Sequence, residues 1–258
     1  MAKNIDKHLL DFMCWSRDYL LENFKKRDFL VKKKAPKDFV TTCDSFVEEK
    51  FLQLVDSLWP DSSIIAEERV SRKRDGELTF IIDPIDGTNN FAFGVPIWGT
   101  SIAVFKTGEP YYSIVGLHPE GSVLTAKSGK GAFWNGKRIK TSNRRLIDSM
   151  VLLDSRFEKL EQYGFKEKLF EIGRVVSKQR MLGAAVYNIC YVALGIADIA
   201  IEVDLKPVDY PASCHILEEA GGVVLPLWGC NSWTELKTCG LVGASSTYIL
   251  DELKKKIL

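Results

Sequence analysis

The chain has 258 residues, 46% of them hydrophobic, and a formal net charge of +1. That length and apolar content suit one large domain or two joined lobes with a sizeable core. The near-neutral balance leaves no global field to draw nucleic acid or acidic lipid, so neither is an expected partner.

The basic clusters Lys25-Lys26-Arg27, Lys32-Lys33-Lys34 and Arg72-Lys73-Arg74 are short. The last resembles a nuclear-import patch, but a solvated loop explains it as well. No apolar run reaches transmembrane length, and residues 1–6 lack the apolar core of a signal peptide. A cytoplasmic protein without membrane attachment is therefore expected.

In chain order, Leu9, Phe12, Met13, Leu20 and Phe24 recur near helical spacing and predict a long amphipathic helix over residues 5–29. A basic segment, 31–37, follows. Residues 38–44 lead into a second helical pattern through Phe46, Phe51, Leu54, Val55 and Leu58, which Trp59-Pro60-Asp61 ends. Asp44, near its start, suits a first-turn acid favoured by the helix dipole. Residues 63–66 read as a short strand that stops at Glu67-Glu68. Adjacent acids are ordinarily solvated, but these two end an apolar run. Residues 70–77 read as a polar hairpin loop.

The central stretch is Ile81-Ile82-Asp83-Pro84-Ile85-Asp86-Gly87-Thr88-Asn89-Asn90-Phe91. Residues 78–82 form a buried-strand pattern that Asp83-Pro84 interrupts, and a residue before proline stays extended. Asp, Pro and Gly are also ordinary turn residues. Two carboxylates at the end of a buried strand repel each other and are costly to bury. A divalent cation turns that cost into a binding site, because hard cations such as Mg²⁺ take carboxylate and carbonyl oxygens.

Beyond it, residues 99–105, 111–117 and 122–126 read as strands, and Gly131 to Ile139 as a hairpin with an Asn-Gly turn. Strands joined by short turns suggest a meander. Lys127-Ser128-Gly129-Lys130-Gly131 fails as a P-loop: position 124 is Leu124, and Gly131 follows Lys130. Residues 150–153 read as a strand, 156–174 as a charged helical segment and 183–194 as a small-residue helix. A buried strand over 197–203 ends near Glu202 and Asp204. Asp209 precedes Pro211 as an N-cap would, and Gly221-Gly222 stop the helix before a strand at Val223.

None of the six cysteines forms a Cys-x-x-Cys pair, and most sit in apolar context, which reads as buried free thiols. His8, His118 and His215 are the only histidines. None is paired at helical spacing, so a histidine metal site or a Ser-His-Asp triad is poorly supported.

Together these pieces resemble the inositol monophosphatase family of Mg²⁺-dependent, lithium-sensitive phosphatases. Residues 83–91 match its Asp-Pro-Ile-Asp-Gly-Thr-x-Asn-Phe signature. Ala66-Glu67-Glu68 matches its Gly-Glu-Glu with Ala first, and residues 38–44 match Asp-x-Val-Thr-x-x-Asp. Residues 131–136 match Gly-Ala-Phe-x-Asn-Gly. Val208-Asp209 with Glu219-Ala220-Gly221-Gly222 matches Trp-Asp with Glu-Ala-Gly-Gly. The resemblance spans almost the whole chain. It implies a layered α-β-α-β-α sandwich of the inositol monophosphatase and fructose-1,6-bisphosphatase type, and a homodimer. On this reading residues 1–145 form an N-terminal lobe with most metal ligands, and residues 146–258 a C-terminal lobe with Asp209.

The resemblance also implies roles. Glu67, Asp83 and the Ile85 carbonyl would hold a first Mg²⁺, and Asp83, Asp86 and Asp209 a second, with two or three ions per site. Thr88, backed by Asp44, would orient a water, and the amides of Gly87 and Thr88 would receive the phosphate. Glu202 matches an acid that binds a substrate hydroxyl, and Ala185 falls where a backbone contact to the sugar is made, although a strand-end surface acid also explains Glu202. Val208 in place of Trp and Ser213 in place of Gly are departures that bear on packing around Asp209. The expected activity is hydrolysis of inositol monophosphate or a similar sugar or polyol phosphate. The alternatives are fructose 1,6-bisphosphate, histidinol phosphate or 3′-phosphoadenosine 5′-phosphate, or a non-catalytic role binding RNA or a transcription partner. The basic residues Lys159, Lys166, Lys168 and Arg174 would either meet a second phosphate or solvate a helix.

Overall fold

A computed structural model describes residues 4–35, 38–68 and 71–256. The chain opens with α1 (Ile5–Lys26), the hairpin strands β1 (Val31–Ala35) and β2 (Asp38–Thr41), and α2 (Thr42–Leu58). Then come β3 (Ser63–Ala66), β4 (Leu78–Asp86), α3 (Thr88–Phe93), β5 (Gly99–Lys106), β6 (Glu109–Leu117), β7 (Ser122–Lys127), β8 (Gly131–Trp134) and β9 (Lys137–Arg138). The second half runs β10 (Met150–Leu153), α4 (Phe157–Gln162), α5 (Lys166–Val175), β11 (Lys178–Arg180), α6 (Ala185–Ala193), β12 (Ile199–Leu205), α7 (Pro211–Glu219), β13 (Val223–Trp228), β14 (Cys239–Ala244) and α8 (Thr247–Lys256).

Strands β3 to β9 form one seven-stranded sheet in sequence order, the expected meander, with β3 parallel to β4 and the later pairs antiparallel. The second sheet has the order β11-β10-β12-β14-β13. Side-chain alternation along the strands sorts the core into layers. Phe80, Ile82, Ile102 and Val104 pack with Leu9, Met13 and Phe51 of α1 and α2. The opposite face, with Ile81, Ala103 and Val115, meets Ile189 of α6 and Ile216 of α7, which also cover Leu152, Ala200 and Leu241 of the second sheet. The outer face of that sheet, with Val151, Ile199 and Ile201, packs on Leu160, Ile172 and Leu253 of α4, α5 and α8. The result is a layered α-β-α-β-α sandwich.

Some local expectations are corrected. The segment 156–174 is two helices, broken where Gly164 takes a left-handed φ of 72°. Val31–Ala35 of the basic segment after α1 is a strand, with Val31 paired to Thr41, and residues 36–37 lie outside the described residues; its lysines have no apolar alternation to reveal it. The polar edge strand β11 is held by backbone pairing to Met150, Val151 and Leu152, which periodicity does not register. The first helix ends at Lys26, where Arg27 turns left-handed at φ 56°. Part of the 70–77 loop lies outside the described residues. Within it, Arg72 and Arg74 pair with Asp56 at 2.8 and 3.1 Å.

Candidate active site

The end of β4 organises the site. Ala66 pairs with Ile82 on the parallel neighbour, so Glu67 emerges beside Asp83. The ladder to β5 is regular up to Asp83 opposite Ser101 and resumes at Asp86 opposite Gly99. The bulge between them brings Asp83, Ile85 and Asp86 to the lining of one cleft. Gly87 follows at φ 84° and starts α3. A Cβ there would lie 3.0 Å from both the Ala184 Cβ and the Ile97 carbonyl oxygen. Glycine therefore serves both the backbone conformation and the close approach.

Thr88 Oγ1 lies 2.7 Å from the Ile85 carbonyl oxygen and 3.2 Å from Asp44 Oδ1. Asp44 forms a capping box with Thr41 at the start of α2 and accepts from the Thr41 amide at 2.8 Å. It is thus both the first-turn acid that its position suggests and a neighbour of Thr88. Asp83 accepts from the Ile85 amide at 3.0 Å, and Asp86 from the Val186 amide at 3.0 Å. Asp209 arrives from the far end of the chain just before α7 and accepts from the Lys206 amide at 2.7 Å. Lys206 Nζ is 3.4 Å from Glu67 Oε1.

Glu67, Asp83, Ile85, Asp86, Gly87, Thr88, Ala185, Glu202 and Asp209 line one cavity of about 830 Å³. Asp44 sits fully buried behind Thr88. Burial, reinforced by the neighbouring carboxylates, raises Asp44, Asp83, Asp86, Glu202 and Asp209. Asp44 and Asp209 are pushed up to about 7, Asp86 to about 8, and Asp83 and Glu202 well above the usual carboxylate range. Such mutual repulsion marks a cluster that gains from positive charge. The donors are all hard oxygens, which fits a divalent cation of the Mg²⁺ type. Among the described residues, no three carboxylate, thiol or imidazole groups already close on a single point. One oxygen each of Asp83, Asp86 and Asp209 is taken up by a backbone amide, and a carboxylate retains a second oxygen for a cation.

The histidines are elsewhere. His118 bonds Thr100 at 2.8 Å, His215 bonds Ser113 at 2.9 Å, and His8 packs edge-on against Trp59. All six cysteines are free. The two departures are absorbed by the core: Val208 is buried, and Ser213 Oγ bonds the Tyr210 carbonyl at 3.0 Å. Residues 127–131, rejected as a P-loop, form a turn whose Gly129 and Gly131 amides donate to Glu219 at 2.7 and 2.6 Å. Two signature motifs remote from the cleft therefore meet each other.

Several lining residues escape the sequence reading. Asn188 Nδ2 donates to Glu202 at 2.6 Å; its only signal is a lone amide in an apolar helix. Asp154 and Arg156 also line the cleft, bonded to each other. Outside the lining, the signature residue Asn90 donates to the carbonyls of Ile97 and Leu182, both at 2.8 Å, and so ties α3 to the loop before α6.

The five-layer sandwich, with an oxygen-rich acidic cleft at the end of β4, is a fold of the inositol monophosphatase and fructose-1,6-bisphosphatase type. The profile of the inositol monophosphatase family matches residues 16–257, and the chain belongs to that family. A fructose-1,6-bisphosphatase/inositol-1-monophosphatase of Aquifex aeolicus is 33% identical over 79% of this chain and 78% of its own length. The Nus factor SuhB of Pasteurella multocida is 31% identical over 92% of this chain and 90% of its own. The crystal structure of the suppressor protein SuhB from Bartonella henselae superposes with a TM-score of 0.90 at 25% identity, covering 98% of each chain.

Proposed function

We propose that the protein is a Mg²⁺-dependent phosphomonoesterase acting on inositol monophosphate or a similar sugar or polyol phosphate. The observation that carries this reading is the convergence of Glu67, Asp83, Asp86, Thr88 and Asp209, from distant parts of the chain, on one cleft. In this reading Glu67, Asp83 and the Ile85 carbonyl hold one Mg²⁺, and Asp83, Asp86 and Asp209 another. When bound, the ions supply positive charge that offsets the phosphoryl oxygens and acidify water. Residues 1–145 then form the lobe with most of the ligands and residues 146–258 the lobe with Asp209. The homodimer that the family resemblance implies belongs to the same proposal.

The chain's own groups do the rest. The Thr88 hydroxyl has a single proton and two acceptors, the Ile85 carbonyl and Asp44. Passing that proton to Asp44 Oδ1 lets Thr88 Oγ1 accept one from an attacking water. Asp44, buried and fixed by the Thr41 amide, is placed to accept the Thr88 proton. The Gly87 and Thr88 amides orient the phosphate, while Glu202, held by Asn188, and the Ala185 backbone bind hydroxyls of the leaving group. In this reading water attacks the phosphorus directly, without a phospho-enzyme.

Phosphate release from a panel of phosphomonoesters, with Mg²⁺ and with or without lithium, tests the reading. Asp209→Asn should lower turnover at least about a hundredfold, because it removes a ligand and not merely an outer-shell partner. Unchanged turnover would refute the assignment of Asp209. A relative named as a Nus factor motivates a second reading, a binding role independent of turnover, which should survive that substitution.

A further inference from the structure

The cleft's charge balance bears on which leaving group it accepts, and this inference rests on the phosphatase reading above. Of the side chains lining the cavity, eight are carboxylates and three are cationic. The cations are Arg156, Lys159 and Lys206, and each already faces an acid. Arg156 donates from Nε to Asp154 at 3.0 and 3.2 Å, and its guanidinium also reaches the Val203 and Asp204 carbonyls. Lys159 Nζ lies 2.8 Å from Asp204, which also accepts from the Tyr163 hydroxyl at 3.1 Å. Lys206 is beside Glu67.

These pairs stand on the same wall as Glu202. Asp154 accepts from the Val203 amide at 3.2 Å, so it is tied to the strand that carries Glu202. Asp204 interrupts that strand at a left-handed φ of 55°, where the register to β14 shifts. The other basic groups of the segment are turned elsewhere. Lys166 pairs with Glu161 at 2.6 Å, and Lys168 sits 5.0 Å over the Phe165 ring. Neither they nor Arg174 line the cavity.

We propose that Asp154 and Asp204 are specificity-determining residues: by occupying Arg156 and Lys159 they deny the cleft a cation for a second phosphate, and so select phosphomonoesters of uncharged or cationic alcohols over bisphosphates. A pair of divalent cations offsets most of the acidic excess, and the scissile phosphate itself brings about two negative charges. A second phosphate near Glu202 then faces fixed carboxylates, with Arg156 and Lys159 already paired to Asp154 and Asp204.

Fructose 1-phosphate and fructose 1,6-bisphosphate differ only by the second phosphate and form the matched test pair. With Mg²⁺, kcat/KM for the bisphosphate should be at least about tenfold lower, since like-charge juxtaposition costs several kcal/mol. Asp204→Asn keeps a residue type tolerant of the left-handed backbone and releases Lys159. It should shift the ratio toward the bisphosphate, chiefly through KM. Lys159→Gln should move the ratio by no more than about twofold, because that cation is already neutralised. Calorimetric binding of both compounds reads the same preference without turnover. Equal or better handling of the bisphosphate by the unmodified protein, or a selective loss of the bisphosphate in Lys159→Gln, overturns the inference. Absence of hydrolysis of every monophosphate overturns the phosphatase reading instead, and the binding ratio still decides this one.

Discussion

Thr88 Oγ1 lies 3.2 Å from Asp44 Oδ1, a contact across 44 residues of sequence. It joins the first turn of α2 to the first turn of α3. Asp44 is held by Thr41 and Thr88 by the Ile85 carbonyl, so neither group needs the other to keep its place. The pair is therefore preorganised, and its contribution can be removed without collapsing either helix.

Thr88→Ala should lower kcat by about a hundred- to ten-thousand-fold, the range for a positioned proton-transfer group, with a much smaller effect on KM. Thr88→Ser, which keeps the hydroxyl, should recover most of the rate. Steady-state kinetics at saturating Mg²⁺ checks both. An alanine variant as active as the parent would remove Thr88 from the mechanism.

The carboxylates predict a pH dependence of stability. Burial holds Asp44 and Asp209 at about 7 and Asp86 at about 8 in the folded chain, above the ordinary value of 3.8. Between those limits the folded state binds more protons than the unfolded one. Stability without metal should thus be greatest at low pH and fall as pH rises through about 4 to 8, by at most about 1.4 kcal/mol per pH unit for each titrating group. Added Mg²⁺ should stabilise increasingly over the same window, because it favours the charged carboxylates. Thermal melts in chelator and in excess Mg²⁺ measure both slopes; parallel curves would contradict the coupling.

Gly87→Ala should cost about 1–2 kcal/mol for the left-handed backbone alone. The 3.0 Å approaches to Ala184 and Ile97 add to that and displace the Thr88 amide. Chemical denaturation gives the stability change, and activity per folded molecule gives the displacement.

Arg156→Met leaves Asp154, 4% exposed, without its cation. The expected loss is about 2 kcal/mol, moderated because the arginine side chain is itself partly solvated. Asp154→Asn in the same background should restore part of it. A double-mutant cycle of denaturation midpoints checks the coupling, and simple additivity would refute it.

Legibility of the site tracks sequence distance. Asp83, Asp86, Gly87 and Thr88 are readable because one strand, one bulge and one helix start place them, and turn chemistry is local. The meander was readable from apolar runs joined by short turns, and the layered sandwich only through the family motifs. Lys178–Arg180 and Val31–Ala35 were not, since backbone pairing to a neighbour, and not apolar periodicity, makes them strands. Val208 and Ser213 appeared as departures whose effect the core alone could settle.

By itself the sequence determined the chemistry on offer: an acid-rich strand end, a hydroxyl after a glycine, and no histidine or cysteine pattern to compete with oxygen donors. Tertiary structure decided which of the many acids share a cleft and which basic groups remain available in it. Lys159 looks identical in sequence whether it faces a phosphate or Asp204. Only the 2.8 Å contact across the β12 bulge distinguishes them, because electrostatic pairing depends on distance through space and the chain records only distance along itself.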